Sequence, residues 1–330
     1  MGNAKQYIKA LRMGHLIHPE SMVNLNAPVE GGRVWFVDGD LTPTGNGKTW
    51  AGAYNTIAGA ISAASAGDVI YIAAKTMSSG ASDPSSYEEN LTIPPAKSSL
   101  SLIGVSRGRA QGGLPQLKDG STTTQEILRV RAPGCLIYNL GFNGAGNTGG
   151  GILLDESDAA YTAFGTSILG CHFKNCKGST ATNAATGGAI MWTSNGGAWQ
   201  VLIDGNQFYK NVGDIVLKGT SGSVPQDVVI QNNTFNGTAG AVDCHILMGG
   251  SGMLGFTIDN NTFADLLPSL GSGTNVRYVI LVGTGLFSNN SFAGVYTTAG
   301  FGAGKAAAKI PTTVGLPHNY TDGGLIVREA

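Results

Sequence analysis

A repeated segment constrains this chain more than any other feature. Six times, an apolar stretch runs into a polar turn and then into a phenylalanine. These six residues are Phe142, Phe173, Phe208, Phe235, Phe263 and Phe292, separated by 31, 35, 27, 28 and 29 residues. A near-constant period of this size indicates one array of stacked repeats and not a string of separate domains.

Apolar residues inside each repeat follow the pattern of β-strands. Val201 and Ile203 alternate along one segment, and Phe208 follows after a bend, which is strand periodicity and not helical spacing. A second apolar strand lies between consecutive phenylalanine segments, at 151–154, 189–192, 214–217, 245–248 and 278–282. Each repeat therefore contributes at least two strands.

Stacking is needed because one coil of this length cannot bury its own apolar side chains. Coils placed about 4.8 Å apart pair their backbone groups with their neighbours and share one continuous core. We therefore expect the phenylalanines to form an internal column. We also expect a ladder of side-chain hydrogen bonds from the asparagines two residues before the last four phenylalanines, namely Asn206, Asn233, Asn261 and Asn290.

These residues make the chain resemble the right-handed parallel β-helix superfamily, which has the pectate-lyase-like fold. The upstream stretches 35–38 and 67–73 are similar to the first strand and first full coil of such proteins. The resemblance implies an all-β solenoid closed by an N-terminal capping helix at about 49–66. Thr49 is expected to cap this helix and Gly67 to end it, with an apolar stripe formed by Tyr54, Ile57 and Ile61.

Three regions follow from the extent of the repeat. Residues 34–295 are predicted to form the β-helix. Residues 1–33 and 296–330 do not follow the coil pattern, and we expect them to be an N-terminal and a C-terminal arm.

Composition limits the function classes. The chain is 42% hydrophobic and has 51 glycines, which suits a long core with frequent bends. Its charged fraction is 12% and its net charge is -1, so we expect no nucleic-acid binding, which needs a basic surplus. The N-terminal segment 1–8 lacks the apolar core of a secretory signal, and no apolar run is long enough to span a bilayer. We therefore expect synthesis in a host cytoplasm and no membrane attachment. The alternative is the trimmed, mature form of a secreted carbohydrate-active enzyme.

The four cysteines are predicted to be buried free thiols. Cys171 and Cys176 with His172, or Cys244 with His245, suggest zinc ligands as an alternative. However, alternation along a strand sends Cys171 and its neighbour His172 to opposite faces. Buried thiols, Cys135 among them, are the simpler interpretation, and we expect neither a metal nor a cofactor.

Candidate catalytic residues lie four residues before each phenylalanine, where alternation predicts an outward-facing column. Two of its members, Asp204 and Asp259, are two coils and thus about 9.6 Å apart, near the upper end of the separation in inverting glycosidases. The sequence strings typical of polygalacturonase-like hydrolases are missing, and no Arg or Lys lies on a neighbouring coil of this column. We therefore expect solvated strand carboxylates and keep a catalytic pair as the alternative.

One acidic loop offers a second candidate. Asp155, Glu156 and Asp158 are close enough in sequence to bind calcium together. A solvated surface loop is the alternative that we favour.

The terminal arms and the missing signal sequence are compatible with two functions. Their organisation is similar to that of virion proteins of tailed phages, which are commonly trimers, and we predict a non-enzymatic capsid decoration or cement protein that attaches to the major capsid protein. The rival prediction is a tailspike, or another protein of this fold, that binds or cleaves a polysaccharide, either as a lyase or as a glycoside hydrolase. The expected partner-binding residues of the arms are Tyr7, Ile8, Leu11, Met22, Val23, Leu25, Ile310, Val314 and Leu316.

Overall fold

The fold is a right-handed parallel β-helix, as predicted. The computed structural model describes residues 33–105, 113–122, 124–144, 149–176, 188–193, 197–217, 224–236, 244–264, 277–292, 301–302, 308–321 and 324–326. Within these ranges each coil runs through three strands in turn, one in each of three long sheets. Each coil therefore has one strand more than the minimum of two that the sequence pattern required.

Each sheet collects one strand from successive coils, and at the C-terminal end sheets 2 and 3 each gain one further strand, which is antiparallel in sheet 2. Sheet 1 contains Val34–Val37, Val69–Ala73, Ser101–Val105, Leu136–Tyr138, Ser167–Leu169, Leu202–Asp204, Val229–Gln231, Met253–Asp259, Gly283–Ser288 and Val314–Gly315. Sheet 2 contains Ser86–Glu88, Gln116–Lys118, Gly141–Asn143, His172–Lys174, Gln207–Tyr209, Thr234–Asn236, Thr262–Phe263, Ser291–Phe292, Tyr320–Thr321 and Gly324–Leu325. Sheet 3 contains Leu91–Ile93, Leu128–Val130, Ile152–Leu154, Ile190–Trp192, Ile215–Leu217, Cys244–Met248, Arg277–Ile280, Ala308–Lys309 and Phe301–Gly302.

The phenylalanine column lies inside the helix on sheet 2, as predicted. All six rings are buried, and successive centroids are 4.9, 5.1, 4.9, 4.8 and 4.6 Å apart with nearly parallel planes. Each of the four inner rings therefore packs on the rings of the coils before and after it, and burial of this stack stabilises the middle of the solenoid.

The predicted asparagine ladder occupies the bend between sheets 1 and 2. Asn233 Oδ1 accepts hydrogen bonds from both the backbone N and the Nδ2 of Asn206, at 2.9 and 3.0 Å. Asn261 and Asn290 repeat this arrangement one coil further each time. The ladder satisfies polar groups that the bend would otherwise leave buried without partners.

The N-terminal cap is shorter than predicted. Thr49 caps a 3-10 helix, Trp50–Gly52, and the α-helix proper is Ile57–Ala63, which Thr56 caps by accepting a bond from Gly59 N. Tyr54 precedes this helix because its backbone pairs with Val37 of the first strand. Within the described ranges no helix has the length and hydropathy needed to cross a bilayer.

The C-terminal arm assignment is corrected by the structure. Residues 308–321 add strands to all three sheets, and Asn319 extends the asparagine ladder by accepting from Asn290 N at 3.0 Å. Ile310 and Val314, expected to bind a partner, are 0% and 1% exposed in the core, and Leu316 packs against it. The phenylalanine repeat did not predict this coil because Thr321 occupies the position beside Phe292 at which the repeat requires another phenylalanine.

The N-terminal residues predicted to bind a partner lie outside the described residues; they are Tyr7, Ile8, Leu11, Met22, Val23 and Leu25.

Cys135, Cys171 and Cys176 are buried free thiols, as predicted. Burial raises the pKa of each of these three thiols to about 12, which keeps them protonated and unreactive. The side chain of Cys244 lies outside the described part.

Candidate functional site

The outward face of sheet 1 carries two columns of side chains. In each three-residue strand the middle residue points inward, as Ile203 does, and the flanking residues Leu202 and Asp204 point outward. The strand register aligns the first column as Leu136, Ser167, Leu202, Val229, Thr257 and Leu286, and the second as Tyr138, Leu169, Asp204, Gln231, Asp259 and Ser288. The first column is aliphatic except for Ser167 and Thr257, and we call it the aliphatic column; the second becomes polar from Asp204 onward.

The bend that follows the second column is held in one unusual conformation. Its residues have φ between 52° and 66°, in the left-handed region that glycine and asparagine tolerate best. They are Asn139, Gly170, Gly205, Asn232, Asn260 and Asn289. Sequence reasoning missed this row, although its signal is the Asn or Gly that directly precedes each ladder asparagine.

Asp204 is bound by the next coil. Its Oδ2 accepts a hydrogen bond from Gln231 Nε2 at 3.1 Å, and its Oδ1 accepts one from Asn232 Nδ2 at 2.8 Å. Both oxygens thus act as acceptors, which is the role of an ionised carboxylate.

Asp259 is bound in a similar way but on one oxygen only. Its Oδ1 accepts from Ser288 Oγ at 2.6 Å and from Asn289 Nδ2 at 2.7 Å. Its other oxygen makes no hydrogen bond to the described residues, and the side chain is half-buried, so this oxygen can accept from a ligand.

A further bond makes these residues one continuous row. Asn260 Nδ2 donates to Asn232 Oδ1 at 2.7 Å and so connects the coil of Asn232 to the coil of Asp259. We call this row the polar rim, composed of Asp204, Gln231, Asn232, Asp259, Asn260, Ser288 and Asn289. It presents carboxylate and amide groups at intervals of about 4.8 Å, the coil spacing. Ser288 is only 3% exposed and donates its hydroxyl to Asp259 from a buried position.

The opposite edge of sheet 1 begins with two aromatic residues. Phe164 and Trp199 stack across adjacent coils with centroids 5.3 Å apart and planes inclined by 6°, and Phe164 is 38% exposed. Phe164 also borders an open depression of about 630 Å³ whose walls include Tyr161, Glu156 and Asp158. The face of sheet 1 is thus flanked by an aromatic pair on one side and the polar rim on the other.

The acidic loop beside this depression is not simply solvated, contrary to the favoured interpretation of the sequence. Asp155 is 1% exposed and accepts a bond from Arg131 Nε at 2.7 Å. Burial would raise its pKa, but hydrogen bonds from Ser157 and Arg131 outweigh burial and lower it. The carboxylate therefore holds two successive coils together.

Glu156 plays a related structural part. Its two oxygens accept from the backbone N–H groups of Ala163 and Gly197, both at 3.0 Å, and burial raises its pKa. Both oxygens are thus bonded to the backbone, and the described residues contain no group of three or more His, Cys, Asp or Glu placed to hold a metal ion. The loop thus shapes the depression and fixes it to the next coil.

The geometry of the polar rim fits binding better than hydrolysis. An inverting hydrolase places a water between two carboxyl groups, one of which must be protonated. Between Asp204 and Asp259 stands Gln231, whose amide donates to Asp204. In addition, both oxygens of Asp204 accept hydrogen bonds, which does not suit Asp204 as the proton donor of such a pair.

Solved structures share this architecture. No family model and no curated protein matches the sequence. A lacto-N-biosidase from Eubacterium ramulus is similar over 89% of this chain and 57% of its own length, with a TM-score of 0.56 and 10% identity. A rhamnogalacturonan lyase has a TM-score of 0.43 at 12% identity over 79% and 74% of the two chains. A tailspike protein of Acinetobacter baumannii bacteriophage Fri1, a capsular polysaccharide depolymerase, has 0.35 at 12% identity over 76% and 52%.

These likenesses concern the fold alone. The parallel β-helix predicted from the repeat is shown by the three stacked parallel sheets of this chain. This chain spans 57% of the lacto-N-biosidase, so the activity of that protein is not carried over by the match.

Proposed function

We propose that this protein is a carbohydrate-active β-helix protein that binds a polysaccharide along the outward face of sheet 1. This is the rival prediction of the sequence analysis, which includes phage tailspikes and other glycan-recognising proteins of the fold. The observation that carries the proposal is the polar rim, because it offers a ligand a repeating series of hydrogen-bonding groups on a rigid scaffold.

Rigidity supports this role. The rim residues lie on strands and bends of four successive coils, and their side chains are already oriented by bonds to one another. A ligand therefore meets groups that need little reordering, which reduces the entropic cost of association.

The surface beside the polar rim offers apolar contacts for the faces of a sugar ring. A pyranose ring has polar edges and apolar faces, and the aliphatic column beside the rim includes Leu286, which is 38% exposed, with Leu254 at 41% nearby. Polar groups that fix orientation beside apolar contact area are typical of small-molecule sites. A linear polymer can repeat such contacts from coil to coil.

Capsid decoration stays a prediction, together with the predicted trimer, the virion location and the major capsid protein as partner. The residues expected to mediate it at the C-terminal end are core residues, as the last coil shows. Glycan binding instead rests on accessible side chains.

Affinity electrophoresis through gels that contain polysaccharides tests the proposal. We expect at least one polysaccharide to retard the native protein, and Asp259→Ala to reduce that retardation because it removes the free oxygen and two hydrogen bonds. Gln207→Ala, on the outward face of sheet 2, is the matched control and should migrate as the wild type does. Equal retardation of the wild type and Asp259→Ala would show that the polar rim is not part of the binding site.

A further inference from the structure

The charge of the proposed binding face identifies a class of ligand. Three aspartates lie on it: Asp204 and Asp259 in the second outward column, and Asp227 at the bend that precedes the strand Val229–Gln231. Asp227 is exposed and has a φ of 54°. Each carboxylate is therefore on the side of the sheet that a ligand would contact.

Compensating cations are missing from the same face. Among the described residues, neither outward column of sheet 1 nor the bends at its two edges contains an Arg or a Lys between Gly134 and Asn289. Where the fold does pair a carboxylate with a cation, the pair lies elsewhere: Asp155 with Arg131 at the corner between sheets 3 and 1, and Glu88 with Lys118 on sheet 2. The hydrogen bonds to Asp204 and Asp259 come from amides and a hydroxyl, which orient the charges without cancelling them.

We infer that the ligand of this face is a polysaccharide without acidic groups, built from neutral or amine-bearing sugars. This inference rests on the proposed function and deepens it. Hydroxyl and ammonium groups donate to carboxylate oxygens such as the free oxygen of Asp259. A uronate or sulfate group would instead approach up to three carboxylates and find no cation to bind.

Repulsion of this kind is large enough to measure. Unit charges about 5 Å apart repel appreciably even in a water-like dielectric, and three such contacts weaken binding by about tenfold or more. The effect is greatest at about 0.01 M ionic strength, where the Debye length is about 30 Å, and it falls as salt is added.

A polymer panel tests the inference with the full-length protein at low and high salt. The neutral probes are dextran, galactan and galactomannan, the aminated probe is chitosan, and the acidic probes are polygalacturonate and alginate. We expect a neutral or aminated polymer to bind at least about tenfold more tightly than either acidic polymer at low salt. Preferential binding of an acidic polymer would overturn the inference and leave the proposed function standing, whereas binding of no polymer would count against both.

A charge-neutral variant supplies the second measurement. The triple substitution Asp204→Asn, Asp227→Asn and Asp259→Asn keeps side-chain size and an acceptor oxygen, and asparagine tolerates the positive φ of residue 227. We expect it to lose most of the discrimination against polygalacturonate. Glu88→Gln, an exposed carboxylate on sheet 2, is the control and should discriminate as the wild type does; an unchanged ratio in the triple variant would refute the electrostatic explanation.

Discussion

Removing one rung of the asparagine ladder should destabilise the whole coil stack. Asn233 makes four side-chain hydrogen bonds: it accepts from the N and Nδ2 of Asn206, and it donates to Ile203 O and to Asn261 Oδ1. Asn206 Nδ2 keeps its bond to Ile168 O, and Asn261 Oδ1 keeps its bond from Asn233 N. Asn206 N, however, has no other acceptor among the described residues.

The magnitude follows from that count. A buried N–H without an acceptor costs about 1–3 kcal/mol, and each of the other lost bonds adds up to about 1 kcal/mol net. We therefore expect Asn233→Ala to lower the free energy of unfolding by about 2–4 kcal/mol. Thr234→Ala, the next residue and outward-facing on sheet 2, should change it by less than about 0.5 kcal/mol.

Urea unfolding followed by far-UV circular dichroism measures both variants. The expected result is a lower midpoint for Asn233→Ala with an unchanged slope, since the slope reports the surface exposed on unfolding. If the two variants unfold at the same urea concentration, the ladder does not stabilise the fold and the reasoning is wrong.

Three further predictions concern the core, the pH dependence and the chemistry. Phe235→Ala removes a ring that is 0% exposed and stacked on both sides, and it should cost about 3–5 kcal/mol; an unchanged melting temperature would show that the column is not core. Burial and the charge of Lys174 lower the pKa of His172 to about 4, so the unfolded chain binds a proton that the folded chain does not. Stability should thus fall by up to about 3 kcal/mol between about pH 6.5 and 4, and His172→Gln should flatten this slope in pH-dependent urea unfolding. Finally, no reducing ends should be released from any polysaccharide that binds, and their release by the wild type but not by Asp204→Asn would establish the catalytic pair instead.

Much of the fold could be predicted because its signals repeat. A buried phenylalanine recurs at one inward position in six successive coils, and a buried asparagine recurs at a second position in five, so Phe235 and Asn233 are recognisable without any knowledge of their contacts. The last coil was missed because its strands are two residues long and Thr321 interrupts the phenylalanine column. The asparagine ladder, through Asn319, was the signal that continued into it.

The candidate site was less predictable because it depends on contacts between coils. Alternation placed Asp204 and Asp259 outward with Gln231 on the coil between them, but nothing in the sequence indicated that Gln231 donates to Asp204. The same applies to Asp155, whose acidic neighbours suggested a solvated loop. Its partner, Arg131, is 24 residues earlier in the chain and comes close only through stacking.

Carboxyl footprinting tests the central claim, that a glycan binds along the outward face of sheet 1. Carboxylates are coupled to an amine with carbodiimide, in the presence and absence of a polysaccharide that retards the protein, and the modified residues are identified by mass spectrometry. The account predicts that the glycan protects Asp204, Asp227 and Asp259 from modification while Glu88 on sheet 2 is modified equally in both samples. Protection of Glu88 with no protection of the three aspartates would contradict it.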